Sequence, residues 1–126
     1  MSMTLPERLA AFGSALGRLR AALDRPLDEW TRDAAIQRFG FTFELAWKCV
    51  QQAAVEEGLE CASPRAALRV AARLGWIADD EVWLRMLDDR NRSSHTYDEA
   101  AALAVHASLA GYSDALSGLL AKLRQR

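Results

Sequence analysis

The chain has 126 residues, 51% hydrophobic and 26% charged, with sixteen Lys and Arg against seventeen Asp and Glu. One domain of this length buries roughly two-thirds of its unfolded surface without disulfide or metal staples, and the near-zero net charge excludes a general nucleic-acid coat or an acidic disordered tail. No apolar run approaches the ~20 residues of a membrane span, and MSMTLPERLA lacks the basic and apolar regions of a secretory signal, so the expected address is cytoplasmic with no membrane partner.

Leu5, Leu9, Phe12, Leu16, Leu19 and Leu23 recur at spacings of three and four, which predicts a first helix with one apolar stripe. Thr4 and Glu7 form a capping box, Pro6 suits the first turn, and Arg25-Pro26 ends the helix. A second, long helix is predicted from Asp28 to Glu57, with Ile36, Phe39, Phe43, Trp47, Val50 and Ala54 facing inward and Gly58 as its stop. Ser63 caps a shorter third helix that Pro64 opens and Gly75 closes. Asp79 or Asp80 starts a fourth, carrying Val82, Trp83, Met86 and Leu87. The fifth begins near Thr96 or Asp98, with Thr96 and Glu99 as a second capping box, and turns Val105, Leu109, Tyr112, Leu116, Leu119 and Leu123 inward. No segment alternates with period two. The expected fold is all-α: a single domain over 1–126, an up-and-down antiparallel four-helix bundle with one extra short helix.

Cys49 and Cys61 have no Cys or His at metal-ligand spacing and read as structural thiols. Trp47 fits the core stripe, and Trp30, Trp76 and Trp83 are expected to fill core or a subunit interface. Glu44, inside the aromatic run Phe39 to Phe43, needs a partner or an exposed face, and exposure is the expectation. Arg65, Arg69 and Arg73 form a basic stripe that would meet phosphates or simply lie in solvent, the plainer reading. His106 reads as a partly buried structural histidine.

The run from Asp88 to Glu99 is far more polar than a helix junction needs. It gathers Arg90, Asn91, Ser94, His95 and Tyr97, a set suited to a phosphate and ribose site. Arg90 offers a permanent forked cation, His95 a proton donor or acceptor near neutral pH, and Tyr97 a hydroxyl. Arg90 and His95 stand ~140° apart on a continuous helix, so they meet only if the helix stops near Arg92 or if two subunits contribute. The same arginines would also complement the dipole of a helix C-terminus. The two-metal aspartates of a nucleotidyltransferase are absent, and no metal or other cofactor is expected.

Five blocks carry a resemblance: Arg38-Phe39-Gly40-Phe41-Thr42-Phe43-Glu44-Leu45-Ala46-Trp47-Lys48, Ser63-Pro64-Arg65, Gly75-Trp76-Ile77, Trp83-Leu84-Arg85-Met86-Leu87, and Asp89-Arg90-Asn91 with Ser94-His95-Thr96-Tyr97-Asp98-Glu99. In order and spacing the chain resembles the small bacterial nucleotidyltransferase substrate-binding proteins of the HEPN superfamily, the HepT-like toxins among them. Gly40 stands where that family usually carries Glu, and Arg92 where an apolar residue is common. The resemblance implies a bundle that forms a homodimer, encoded beside a small MNT-type nucleotidyltransferase in a toxin–antitoxin-like pair. It also implies an Arg-x4-His-x-Tyr motif at Arg90, His95 and Tyr97. On that reading Arg90 and His95 are catalytic in a metal-independent ribonuclease, and Asn91, Ser94 and Tyr97 bind RNA or a nucleotide. Tyr97 is also the acceptor for nucleotidylation. The rival readings are a non-catalytic nucleotide-binding subunit of the transferase and a structural dimerisation module.

Overall fold

The computed structural model describes residues 3–78, 80–92 and 98–126, and their regular structure is five helices: α1 (Leu5–Leu23), α2 (Glu29–Glu56), α3 (Pro64–Arg73), α4 (Asp80–Asn91) and α5 (Glu99–Arg124). The all-helical expectation and each of the five elements hold.

The helix starts are set locally. The Thr4 hydroxyl accepts from the Glu7 amide while the Glu7 carboxylate accepts from the Thr4 amide, so two orphan donors of the first turn are satisfied reciprocally. Asp28 and Thr31 repeat the arrangement at α2, and Ser63 caps α3 through the Ala66 amide. Asp98 caps α5 through the Ala101 amide. The other candidates, Thr96 for α5 and Asp79 for α4, lie outside the described residues. Gly58 and Gly75 both adopt φ of +77°, which turns the chain sharply after α2 and α3. The amides of Leu59 and Trp76 then close back onto the carbonyls of Ala54 and Ala71 at 2.9 and 2.8 Å.

Four contacts fix helix direction. Arg8 bonds Gln52 at 2.6 Å and Arg38 bonds the Arg18 carbonyl at 2.8 Å, so α1 and α2 are antiparallel. Arg20 lies 3.6 Å from Asp114, and Leu120 sits beside Gly13, so α5 also runs against α1. Consequently α2 and α5 run the same way, as alternate members of an up-and-down bundle do. Between them in the sequence, α3 packs on α2 and α4, and α4 packs on α2 and α5.

The predicted stripes meet in one core. Phe12, Leu19, Phe39, Phe43, Val50, Leu109, Leu116 and Leu119 are all buried, with Leu68 and Met86 joining from α3 and α4. Phe39 stacks on Tyr112 at 5.4 Å, and Phe43 leans on Trp83 at 6.3 Å. Cys49 and Cys61 are buried, and burial pushes the Cys49 thiol up to about 12. Trp76 and Trp83 fill the core as expected. Trp30 does not: it is 84% exposed, and Phe41 is 60% exposed. Both lie about half a turn from Phe39 around α2, and Phe41 borders a shallow cleft whose other wall is Ala11, Ala15 and Arg18 of α1. Among the described residues no helix is long and apolar enough to cross a membrane.

Phe43→Ala should lower the free energy of unfolding by about 3–5 kcal/mol, because it opens a cavity where α2 meets α4. Val55→Ala, at an exposed position of the same helix, should cost less than about 0.5 kcal/mol. Urea denaturation followed by circular dichroism checks both.

Candidate functional site

Helix α4 stops at Asn91, so Arg90 sits in its last turn. A helix end at this point is one of the two conditions under which Arg90 and His95 could meet, the other being a second subunit. The guanidinium Nη2 of Arg90 pairs with Oε2 of Glu44, at mid-length on α2. Trp47, one turn further along α2, donates its indole Nε1–H to the same carboxylate oxygen at 3.0 Å, and Lys48 Nζ stands 3.5 Å from the other oxygen. Arg90 Nη1 also donates to the Asn91 side-chain oxygen at 3.3 Å. The structure thus brings Arg90 and Asn91 together. Ser94, His95 and Tyr97, the other predicted site residues, lie outside the described residues.

Glu44 was expected to face solvent. It is instead only 31% exposed, and Arg90 only 30%. A half-desolvated carboxylate needs a compensating charge or donors, and the indole, the ammonium and the guanidinium supply them. The sequence did carry a signal, since a carboxylate within an aromatic run, with Trp and Lys three and four residues on, has two helical neighbours ready to bind it.

Two clefts flank this pair and share Ile36 as a wall. The first, of about 550 Å³, is lined by Glu44, Arg90, Phe41, Gly40, Gln37 and Asp33. Nothing lies within 4 Å of a Cβ placed on Gly40, so the glycine leaves this cleft open on the α2 side. The second, also about 550 Å³, lies between α4 and α5 and is lined by Arg85, Asp88, Asp89, Arg92, Asp98, Ser108 and Tyr112 among others. The residues on either side of the 93–97 segment, Arg92 and Asp98, both belong to it.

In the second cleft the Tyr112 hydroxyl donates to Asp89 at 2.6 Å. Burial first, then the Asp89 hydrogen bond and charge, push the Tyr112 phenol up to about 12. Tyr112 falls on the inward stripe of α5 that the spacing predicts. The ring is core, but the hydroxyl reaches the cleft. A further ion pair ties α2 to the start of α5: buried Arg32 bonds Asp33 at 3.1 Å and lies 3.5 Å from Glu99. His106 is half-buried, as expected, and Arg65, Arg69 and Arg73 are exposed.

Asp89→Asn removes the negative charge that opposes ionisation of Tyr112, so the phenol should titrate lower than in the parent protein. Ultraviolet absorbance titration reads this as a downward shift of the most basic tyrosine transition. The sign also predicts stability: the neutral phenol favours the fold below pH ~10, the ordinary tyrosine value, and that contribution disappears as pH rises through about 12. In a double-mutant cycle, Glu44→Ala and Arg90→Ala should couple by about 1 kcal/mol in urea denaturation, at the upper end for partly exposed pairs.

Residues 7–125 match the family described as nucleotidyltransferase substrate binding protein like. A Haemophilus influenzae protein named probable ribonuclease HepT is 37% identical over 97 residues, which is 73% of this chain and 66% of that relative's length. Two solved structures share the fold. A crystal structure of a Thermus thermophilus protein superposes with a TM-score of 0.86 at 39% identity, covering 90% of this chain and 98% of that one. A second, from Haemophilus influenzae, is described as revealing the fold of a substrate binding domain of a nucleotidyltransferase. It gives 0.83 at 28% identity, covering 92% and 98%. With nearly its whole length matched and its bundle shared, the chain belongs to the nucleotidyltransferase substrate binding protein like family.

Proposed function

We propose that this chain is the toxin and substrate-binding subunit of a two-component nucleotidyltransferase module, and that it cleaves RNA without a metal ion. The observation that carries the reading is Arg90, held half-buried by Glu44 at the end of α4, beside an open cleft and five residues ahead of His95. A cation so fixed is suited to meet charge that develops on a scissile phosphate, because it needs no reorganisation when that charge appears.

In the proposed reaction His95 takes the proton of a ribose 2′-hydroxyl, and the oxygen attacks the adjacent phosphorus. A 2′,3′-cyclic phosphate forms, and the 5′-oxygen leaves with a proton from a second acid. The counterpart His95 of a second copy would supply that acid. Support for a homodimer comes from Trp30 and Phe41, exposed on α2 along the same side as Glu44. A twofold contact there would bring two Arg90 sets to a shared cleft. Asn91 and Ser94 would bind the substrate. Tyr97 would accept a nucleotide from the partner transferase, its oxygen displacing pyrophosphate, and the added charge would repel RNA.

A second reading has its own observation. Asp88, Asp89 and Asp98 outnumber Arg85 and Arg92 in the cleft between α4 and α5, a setting better suited to one nucleotide than to a long polyanion. A non-catalytic subunit that holds one nucleotide for the transferase would meet less repulsion there.

The purified chain, incubated with single-stranded RNA and EDTA, should produce fragments ending in cyclic phosphate. Arg90→Ala and His95→Ala should each slow cleavage by about 100-fold or more. Absence of cleavage, together with growth inhibition that survives His95→Ala, would overturn the ribonuclease and leave the nucleotide-holding subunit.

A further inference from the structure

We infer that the exposed face of α3 is a docking surface for the phosphate backbone of single-stranded RNA. The choice of RNA rests on the ribonuclease reading above, while the surface is argued from α3 itself. Arg65, Arg69 and Arg73 are all exposed, opposite the buried Ala67, Leu68 and Ala71. At 100° and 1.5 Å per residue the three fall within about 80° of arc and span about 12 Å, one cation per turn. Residues 61–78 contain these three arginines and no Asp or Glu. None of the three forms an ion pair with a described residue, whereas Arg20, Arg32, Arg90 and Arg126 each meet a carboxylate.

The fold accounts for Arg73, whose charge in the last turn of α3 complements the helix dipole, but not for Arg65 and Arg69. Like charges four residues apart on a helix repel, and α3 carries two such pairs in ten residues. Arg65 also stands in the first turn, at the positive end of the helix dipole, where α3 has no acid to offset it. These three terms oppose the folded helix against the one favourable placement of Arg73, and an external anion offsets all of them. A repeated cation at regular pitch matches a linear, repeating anion better than a single phosphate group, and the guanidinium fork pairs with phosphate oxygens through two parallel hydrogen bonds. The region just beyond is the opposite in character, since residues 79–99 carry seven acids against three arginines.

The test uses the full chain and a fluorescent 2′-O-methyl oligouridine, which binds as RNA but lacks the attacking hydroxyl. Anisotropy titrations between about 50 and 200 mM salt give the slope of log affinity against log salt. In the variant Arg65→Gln/Arg69→Gln/Arg73→Gln the slope should shrink by about 2, the value for three lost phosphate contacts on a single strand. A control with the same charge loss elsewhere, Arg25→Gln/Lys122→Gln/Arg124→Gln, should keep the parent slope, and circular dichroism should show full helicity in both. An unchanged slope in the α3 variant, an equal change in the control, or no binding by the parent protein overturns the inference. Equally tight, α3-dependent binding of labelled polyglutamate overturns it in favour of an acidic protein partner. Binding that depends on α3 without any RNA cleavage upholds this surface and removes the ribonuclease. Cleavage with binding indifferent to α3 does the reverse.

Discussion

A guanidinium and a carboxylate can both lie half out of water only while each neutralises the other. That constraint governs how α4 sits on α2. Glu44 follows Phe43, whose ring lies in the core, so the two side chains leave α2 about 100° apart. A rotation of α2 by one residue would drive the carboxylate inward and expel the ring. The Arg90 pair and the Phe43–Trp83 contact therefore fix the same rotational phase twice, once by charge and once by packing. Trp47 contributes to both, with its ring in the core and its indole N–H on Glu44.

The fold was legible because its information is local. Spacings of three and four mark each inward stripe, and Thr4, Asp28 and Ser63 carry cap chemistry that needs no distant partner. The site was legible only in part. Arg90 and Asn91 stood out as residue types in a polar run, and α4 ends at Asn91. Glu44 was not assigned to Arg90 because 46 positions separate them, and periodicity gives a residue's angle on its own helix, not the neighbour it meets across a groove. Tyr112 shows the same limit at atomic scale. Its ring follows the stripe of α5, while its hydroxyl answers to Asp89 on another helix. Of the two places expected for Trp30, the phase of α2 excludes the core and leaves the subunit interface.

Charge is distributed unevenly around the bundle. The α4–α5 cleft sets Asp88, Asp89 and Asp98 against Arg85 and Arg92, and the charged residues of α3 are arginines alone. A net charge of -1 conceals that division, because the two regions nearly cancel in the sum. Anions approaching the protein would thus feel a field whose sign depends on the direction of approach.

Helix α2 also holds both ends of the polar junction between α4 and α5, with Glu44 gripping Arg90 and Arg32 gripping Glu99. Twelve positions separate these two moorings, which places them about 18 Å apart along the axis of α2. The pitch of a neighbouring helix, and not the composition of the crossing, holds that interval. A single residue inserted in α2 between the moorings would swing one of them by about 100° and release the junction from its frame.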